Sequence, residues 1–175
     1  HGIRGADADA DARAAASLAR KVGVPFSQQR ADVPAYADSH GLSLETAARE
    51  VRYQILESAA NRFGANHIAT GHTANDQAET VLLNLLRGTG PRGLAGIPPV
   101  RGRIIRPLIG VTREAVQHYC DSQQLTYRID ASNRDVAFSR NRVRHELMPV
   151  LERIQPALVS TLCRLAEVMR AEDDF

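Results

Sequence analysis

Apolar and polar positions along this chain recur at spacings that predict several helices. The clearest case is "SLETAAREVRYQILESAANRFG", in which one face carries apolar residues four positions apart, namely Ala47, Val51, Ile55 and Ala59. Ser43, whose hydroxyl can accept a backbone N–H, precedes this face, and Gly64 follows it. The pattern predicts a helix that begins after Ser43 and ends before Gly64.

Two further segments show the same spacing and the same kind of end. "ADADARAAASLARKVG" has a narrow apolar face and stops at Gly23. "TANDQAETVLLNLLRG" stops at Gly88, and we expect its inward face to consist of Val81, Leu82, Leu85 and Leu86. Both segments are therefore predicted to be helices.

The second half of the chain contains three more helical patterns. Thr112 is a candidate cap for "REAVQHYCDSQQ". Ser139 precedes the basic segment "RNRVRHELMPVLERI", in which Pro149 is expected to kink the helix or divide it in two. A last amphipathic helix, "QPALVSTLCRLAEVMRAEDDF", is expected to lead away from the core.

Short apolar runs between these helices predict strands, at "VPFSQQRADV", "NHIAT", "RIIRPLIG" and "TYRID". The segment "GTGPRGLAGIPPVRG" is too rich in glycine and proline for a regular element and is predicted to be a loop. Strands alternating with helices favour an α/β fold with a parallel sheet, in which ligands bind at the carboxyl ends of the strands.

Composition excludes some classes of protein. No apolar run approaches the roughly 20 residues that a membrane-spanning helix needs, so we expect a cytoplasmic protein without membrane contact. Cys120 and Cys163 lack the spacing of a disulfide framework or a zinc site, and both are expected to be buried apolar residues. Residues 101–145 contain nine arginines against four acids, so the basic excess is local.

The stretch "IATGHTANDQAET" places Asp76 and Glu79 three residues apart at the start of a helix that follows a strand. If Thr73 is the helix cap, Asp76 lies where a carboxylate satisfies free backbone N–H groups. Glu79 would project from the same face, and two neighbouring carboxylates repel each other unless a cation, an ammonium group or a metal lies between them. A capping role and a binding role for the pair both remain open.

Basic residues supply the other candidates. Arg140 and Arg144 share a helical face, where like charges cost stability unless an anion offsets them, whereas Arg142 points elsewhere and fits a solvated surface. His72 is either a base, a metal ligand or a hydrogen-bonded turn residue. Ligand spacing for a metal is absent from the sequence around it, so no metal site is predicted.

Several of these segments resemble, in the same order, the catalytic domain of the tRNA(Ile)-lysidine synthetases. The matching motifs are "IATGHTANDQAETVLLNLLRGTG", "GLAGIPPVR", "RPLIGVTR", "YRIDASNRD" and "FSRNRVRHELMPVLE". The resemblance implies an adenine-nucleotide α-hydrolase-like (Rossmann-like) parallel-sheet domain over residues 1–145. Residues 146–175 would then be a helical linker or the start of an appended domain.

The resemblance also implies a reaction and its participants. ATP, with Mg²⁺, would adenylate the wobble cytidine of tRNA(Ile) with a CAU anticodon, and free lysine would then displace AMP to form lysidine. Catalytic roles would fall to Asp76, Glu79, Arg52 and Arg144. Asp76 and Glu79 would also bind lysine, together with Arg140 and His72.

Two departures from the family bear on this hypothesis. Asn75 occupies a position where the family often has a second acid, and the family's Ser-Gly-Gly-x-Asp-Ser phosphate loop is expected upstream of His1, so the nucleotide-binding residues are unassigned and we expect this stretch alone to be inactive. A related ATP-dependent tRNA thiolase and a non-enzymatic RNA-binding module are alternatives, and a homodimer is left open.

Overall fold

The computed structural model describes residues 6–125, 127 and 139–173. The chain divides into two compact units, His1–Ile68 and Ala69–Phe175, and the boundary falls within the first strand. Helices and short strands both occur, which confirms the predicted α/β class. Within the described part of the chain, every helix is too short or too polar to cross a membrane.

The first unit is helical. It contains α1 (Ala6–Val22), α2 (Val33–His40) and α3 (Leu44–Arg62). As predicted, α3 begins after Ser43, whose hydroxyl oxygen accepts a hydrogen bond from the Thr46 N–H at 3.2 Å. The core of this unit is formed by small and branched side chains from α2 and α3, namely Val33, Ala37, Ala47 and Val51.

The strand that we predicted at "VPFSQQRADV" is wrong. Residues 24–32 have no regular secondary structure and are mostly exposed, and α2 follows directly. The Asp32 carboxylate accepts a hydrogen bond from the Ala35 N–H at 3.0 Å, and Pro34 lies in the first turn of α2. An aspartate cap followed by an early proline is a signal for a helix start, so α2 was predictable from the sequence.

The second unit begins with a small sheet and the helices around it. Its elements are β1 (Ile68–Ala69), α4 (Ala74–Leu86), α5 (Pro91–Leu94), β2 (Val100–Arg101), β3 (Ile104–Ile105) and α6 (Arg113–Ser122). The strands lie in the order β1-β3-β2, and β2 pairs with β3 in antiparallel register, with Val100 opposite Ile105. Both α5 and β2 fall in the glycine-rich segment that we had predicted to be a loop throughout.

The basic helix is divided in two, as predicted at Pro149. The segment consists of α7 (Ser139–Arg142), a π-helical turn (Val143–Leu147) and α8 (Met148–Ile154), and it is followed by α9 (Leu158–Asp173). The Met148 N–H donates to the Val143 carbonyl, five residues earlier. Pro149 has no N–H to continue the ladder, so a break at this point is expected.

The core of the second unit joins α4 to the helices at the end of the chain. It contains Ala78, Val81 and Leu82 of α4, with Val143, Met148, Leu162 and Ala166. Two expectations are therefore wrong. The last helix, α9, packs in the core instead of leading away from it, and Leu85 and Leu86 are 54% and 67% exposed because the last turn of α4 extends past the buried cluster. The domain boundary at 145/146 stays a prediction.

The cysteines are free thiols, and both Cys120 and Cys163 are half-buried rather than fully buried. The Cys163 thiol donates to the Ala74 carbonyl at 3.5 Å, which links α9 to the start of α4. The predicted strand "TYRID" lies outside the described residues apart from Tyr127.

Candidate active site

The candidate site lies at the amino end of α4, directly after β1. The segments 111–113 and α7 with its π-helical turn contribute the other side chains. The Ala74 N–H donates to the Val111 carbonyl at 2.9 Å, and the Arg113 N–H donates to the Asn75 side-chain oxygen at 2.7 Å. These bonds hold the starts of α4 and α6 side by side.

Asp76 has both of the roles that the sequence left open, one for each carboxylate oxygen. Its Oδ2 accepts hydrogen bonds from the backbone N–H and the hydroxyl of Thr73, at 2.8 and 2.9 Å, so the predicted cap is confirmed. Its Oδ1 lies 3.3 Å from an Arg144 nitrogen. The side chain is 18% exposed, which leaves this second oxygen accessible.

Glu79 is the most enclosed side chain of the site, at 1% exposure. The Arg144 guanidinium binds it with two hydrogen bonds, Nε to Oε1 at 2.7 Å and a terminal nitrogen to Oε2 at 2.8 Å. A terminal nitrogen of Arg113 adds a third hydrogen bond at 3.3 Å. Arg140 Nε lies 3.4 Å from Oε2. Glu79 therefore meets guanidinium groups on every side that the structure describes.

The cation that the acid pair requires is supplied by the chain itself. Arg140 and Arg144 share a face, as predicted, and the anion that offsets their repulsion is Glu79. Arg140 also donates to the Thr80 hydroxyl at 2.6 Å. Arg113 was missed by sequence reasoning. Three guanidinium groups thus face two carboxylates, and the cluster carries one excess positive charge.

The electrostatics of the cluster favour the charged state of both partners. Burial raises the pKa of Asp76, but the hydrogen bonds from Thr73 and the charges of Arg140 and Arg113 outweigh it, so this pKa is lowered overall. Burial lowers the pKa of Arg144, but its hydrogen bonds and charge contact with Glu79 raise it overall. Both groups remain ionised near neutral pH.

The remaining predicted site residues are placed as follows. The His72 ring nitrogen Nδ1 lies 2.9 Å from the Thr70 hydroxyl, in the turn between β1 and α4. Arg142 is 67% exposed and pairs only loosely with Glu146, at 3.4 Å, which agrees with the predicted surface role. Arg52 is an exposed residue of α3 in the first unit, and its role stays a prediction.

The glycine-rich segment after α4 is fixed by side chains of the helices. Gln77 is 4% exposed, and its Oε1 accepts a hydrogen bond from the Ile97 N–H at 2.6 Å. Asn84 donates to the Gly93 carbonyl at 2.6 Å, and Arg170 donates to the Ala95 carbonyl at 2.8 Å. The helix that carries the acid pair therefore also positions this segment.

This arrangement binds anions or zwitterions more readily than simple cations. The three guanidinium groups repel a metal ion, and among the described residues no group of three or more histidines, cysteines and acids could hold one. Arginine forks bind carboxylates and phosphates well because several N–H donors lie in one plane.

The fold and site together define an α/β domain with a charged binding site at the junction of a strand and a helix. The chain belongs to the PP-loop domain family, whose model (ATP_bind_3) matches residues 1–151.

Relatives with curated names point the same way. The chain is 44% identical over 176 residues to a protein of Caldanaerobacter subterraneus subsp. tengcongensis named tRNA(Ile)-lysidine synthase, covering 100% of this chain and 38% of that relative. It is 46% identical over 178 residues to one of that name from Symbiobacterium thermophilum, covering 99% of this chain and 37% of the relative. The chain thus spans less than two fifths of the length of these relatives.

A solved structure shares the fold. The U34-tRNA thiolase NcsA from Methanococcus maripaludis with its [4Fe-4S] cluster superposes with a TM-score of 0.75, covering 97% of this chain and 60% of the thiolase. The two sequences are 17% identical, so this likeness bears on the fold alone.

Proposed function

We propose that this chain is part of an enzyme that uses ATP to join free lysine to the wobble cytidine of tRNA(Ile) with a CAU anticodon, which forms lysidine. The observation that carries the proposal is the 44% identity over the whole chain to a protein named tRNA(Ile)-lysidine synthase. The five motifs named above supply the same indication independently of any one relative.

The reaction would proceed in two balanced steps. The cytidine O2 attacks the α-phosphorus of ATP, and pyrophosphate leaves. The lone pair of the lysine ε-amine then adds to C2, the C2–O2 bond breaks, AMP leaves with that oxygen, and the amine loses its proton. Arg144 and Arg140 would offset the negative charge that develops on the departing AMP, since fixed cations stabilise charge at the moment when it forms.

The acids would then act on lysine. Asp76 Oδ1, which is accessible and 3.3 Å from Arg144, would accept an ammonium group of the substrate. Glu79 would contribute through the arginines that it holds, and any direct contact with lysine would require Arg144 to move. His72 and Arg52 would assist in binding and catalysis, as the resemblance implies.

Magnesium fits these residues poorly. Asp76 and Glu79 are the only acids of the described cluster, and the guanidinium groups on both of them would repel a divalent cation. We propose that Mg²⁺ is bound by the ATP phosphates instead, where it offsets their charge.

The proposal is tested with this chain in a protein of the full length of its relatives. Incubation with tRNA(Ile), ATP and lysine should add lysine to cytidine, as measured by mass spectrometry of the digested nucleosides. Arg144→Ala should lower the rate about tenfold or more, because a charge-assisted contact contributes about 1.5–3 kcal/mol. Arg142→Ala is the matched control and should stay near the wild-type rate. An unmodified nucleoside from the wild type would refute the proposal.

A tRNA thiolase is the second candidate, because the solved structure with the same fold carries that name. A [4Fe–4S] cluster is held by about four cysteine thiolates, whereas the present sequence contains two cysteines. The same mass measurement separates the two functions, since a thiolase adds sulfur instead of lysine. Cytoplasmic location and homodimerisation also remain proposals, to be tested by cell fractionation and by light scattering.

A further inference from the structure

Arg113 is held firmly in the site although no motif singled it out. It is the first residue of α6, after the Thr112 cap, whose hydroxyl accepts a hydrogen bond from the Ala115 N–H at 3.2 Å. Its own backbone N–H is bound by Asn75, a buried side chain of α4. The backbone of Arg113 is therefore fixed relative to Asp76, which follows Asn75 directly.

The Arg113 guanidinium is the least used of the three. Among the described residues its one hydrogen bond goes to Glu79 Oε1, at 3.3 Å, and its terminal nitrogen lies 3.9 Å from Asp76 Oδ1. Arg144, in comparison, makes three hydrogen bonds to the acid pair. The Arg113 side chain is 34% exposed, so its other N–H donors can reach a ligand.

Charge balance limits what that ligand can be. The cluster has one more guanidinium group than carboxylates, so a bare ammonium ion would meet a net positive charge. A phosphate bound at Arg113 would lie close to the carboxylates of Asp76 and Glu79, which repel it. A group with a carboxylate and an ammonium on neighbouring atoms satisfies both the free arginine donors and the accessible Asp76 oxygen.

We infer that Arg113 binds the α-carboxylate of the free lysine substrate while Asp76 Oδ1 binds its α-ammonium. This inference rests on the proposed function and adds to it a residue that determines specificity. The amino-acid head group would be held at the junction of α4 and α6, and the side chain would extend from it with the reactive ε-amine at the far end. Arg113 would then distinguish an amino acid from a diamine.

The first test compares substrates on the wild-type protein, at the full length of its relatives. Lysine, lysinamide and 1,5-diaminopentane are each supplied with ATP and tRNA(Ile), and KM and kcat are measured for the modified nucleoside. Loss of the carboxylate should raise KM by about ten- to a hundredfold, as expected for a lost charge-assisted contact. Equal KM values for lysine and lysinamide would overturn the inference.

The second test assigns the effect to Arg113. In Arg113→Ala the preference for lysine over lysinamide should disappear, with the KM for ATP and the rate of adenylation unchanged. Arg113→Lys, which keeps the charge but loses the fork, should retain part of the preference. Arg142→Ala is the control and should keep all of it. The urea midpoint of each variant establishes that it is folded.

The outcomes separate the two proposals. A higher KM for ATP in Arg113→Ala would mean that this arginine binds a phosphate, and it would overturn the inference, as would an unchanged preference for lysine. Either result leaves lysidine formation by the wild type intact. If the wild type instead forms a different nucleoside, the proposed function itself fails.

Discussion

Replacing Glu79 with glutamine tests whether the buried carboxylate holds the arginines of the site in place. The substitution keeps the shape of the side chain but removes its charge and puts an amide N–H₂ group where one oxygen was. Arg144 donates to Oε1 and Oε2 at 2.7 and 2.8 Å, so at least one of its donors would then face another donor. The partly buried guanidinium groups would lose the anion that offsets their charge.

The magnitude follows from burial and from what remains. Breaking a buried ion pair by removing one partner costs about 3–5 kcal/mol. Arg144 keeps its contact with Asp76 at 3.3 Å and is 18% exposed, which places the expected loss at the lower end. We expect Glu79→Gln to lower the free energy of unfolding by about 3 kcal/mol, or the midpoint by about 1.5 M urea if the slope is about 2 kcal/mol/M.

Glu146→Gln is the matched control, because it makes the same chemical change in an exposed pair. Glu146 lies 3.4 Å from Arg142, with side chains 55% and 67% exposed, and such pairs contribute about 0–1 kcal/mol. Both variants are unfolded in urea and followed by circular dichroism at the helix band. If the two variants lose equal stability, or if Glu79→Gln loses less than about 1 kcal/mol, the charge of Glu79 does not hold the cluster together.

Three further predictions concern single residues. Because the pKa of Asp76 is lowered in the folded state, its stabilising contribution is present above pH about 4 and is lost as the pH falls through the folded pKa; the acid limb of stability measured by urea titration should be shallower in Asp76→Asn. Gly96 has φ +64 and a Cβ there would lie 2.8 Å from Gln77 Oε1, whereas Gly102 has φ +57 and open space, so Gly96→Ala should lower the thermal midpoint more than Gly102→Ala, and equal shifts would contradict the crowding. Burial raises the pKa of the Cys163 thiol, so iodoacetamide should label it more slowly than free cysteine at pH 8, and labelling at an equal rate would be the contrary result.

The elements that the sequence predicted well are those with local signals at both ends. The helix α3 has a serine cap and a glycine stop, and α4 has a threonine cap, so short-range hydrogen bonds decide where each begins. The missed helix α2 has such signals in Asp32 and Gly41, but the apolar residues Val24 and Phe26 suggested a strand. Both of these apolar residues prove to be exposed, so a short run gave the wrong period.

The exposed end of α4 could not be predicted from periodicity. Leu85 and Leu86 continue the helical spacing of Val81 and Leu82, and nothing local distinguishes the four. Which of them is buried depends on where α8 and α9 lie, and those helices follow in sequence more than sixty residues later. Periodicity predicts which face of a helix is apolar, whereas tertiary packing decides how much of that face is covered.

The candidate site shows the same division between local and distant information. The spacing of Asp76 and Glu79, and of Arg140 and Arg144, predicted that each pair shares a face and needs an opposite charge. That the two pairs satisfy each other, across about 65 residues of sequence, appears only in three dimensions. Arg113 carried no comparable signal, because it stands alone at a helix start where an arginine is ordinarily a surface residue.

Two like-charged pairs on separate helices thus explain each other, and the remainder of the charge explains the site. Asp76 and Glu79 would repel without the arginines, and Arg140 and Arg144 would repel without the acids, so neither pair is stabilised by its own helix. The two pairs together are electrically neutral. Arg113 is the additional charge, and since its donors are mostly unused within the described residues, a ligand must bring a negative group to balance it. A substrate that carries both a carboxylate and an ammonium group balances Arg113 without disturbing the other four charges, which is why the site favours an amino acid over a simple cation or a simple anion.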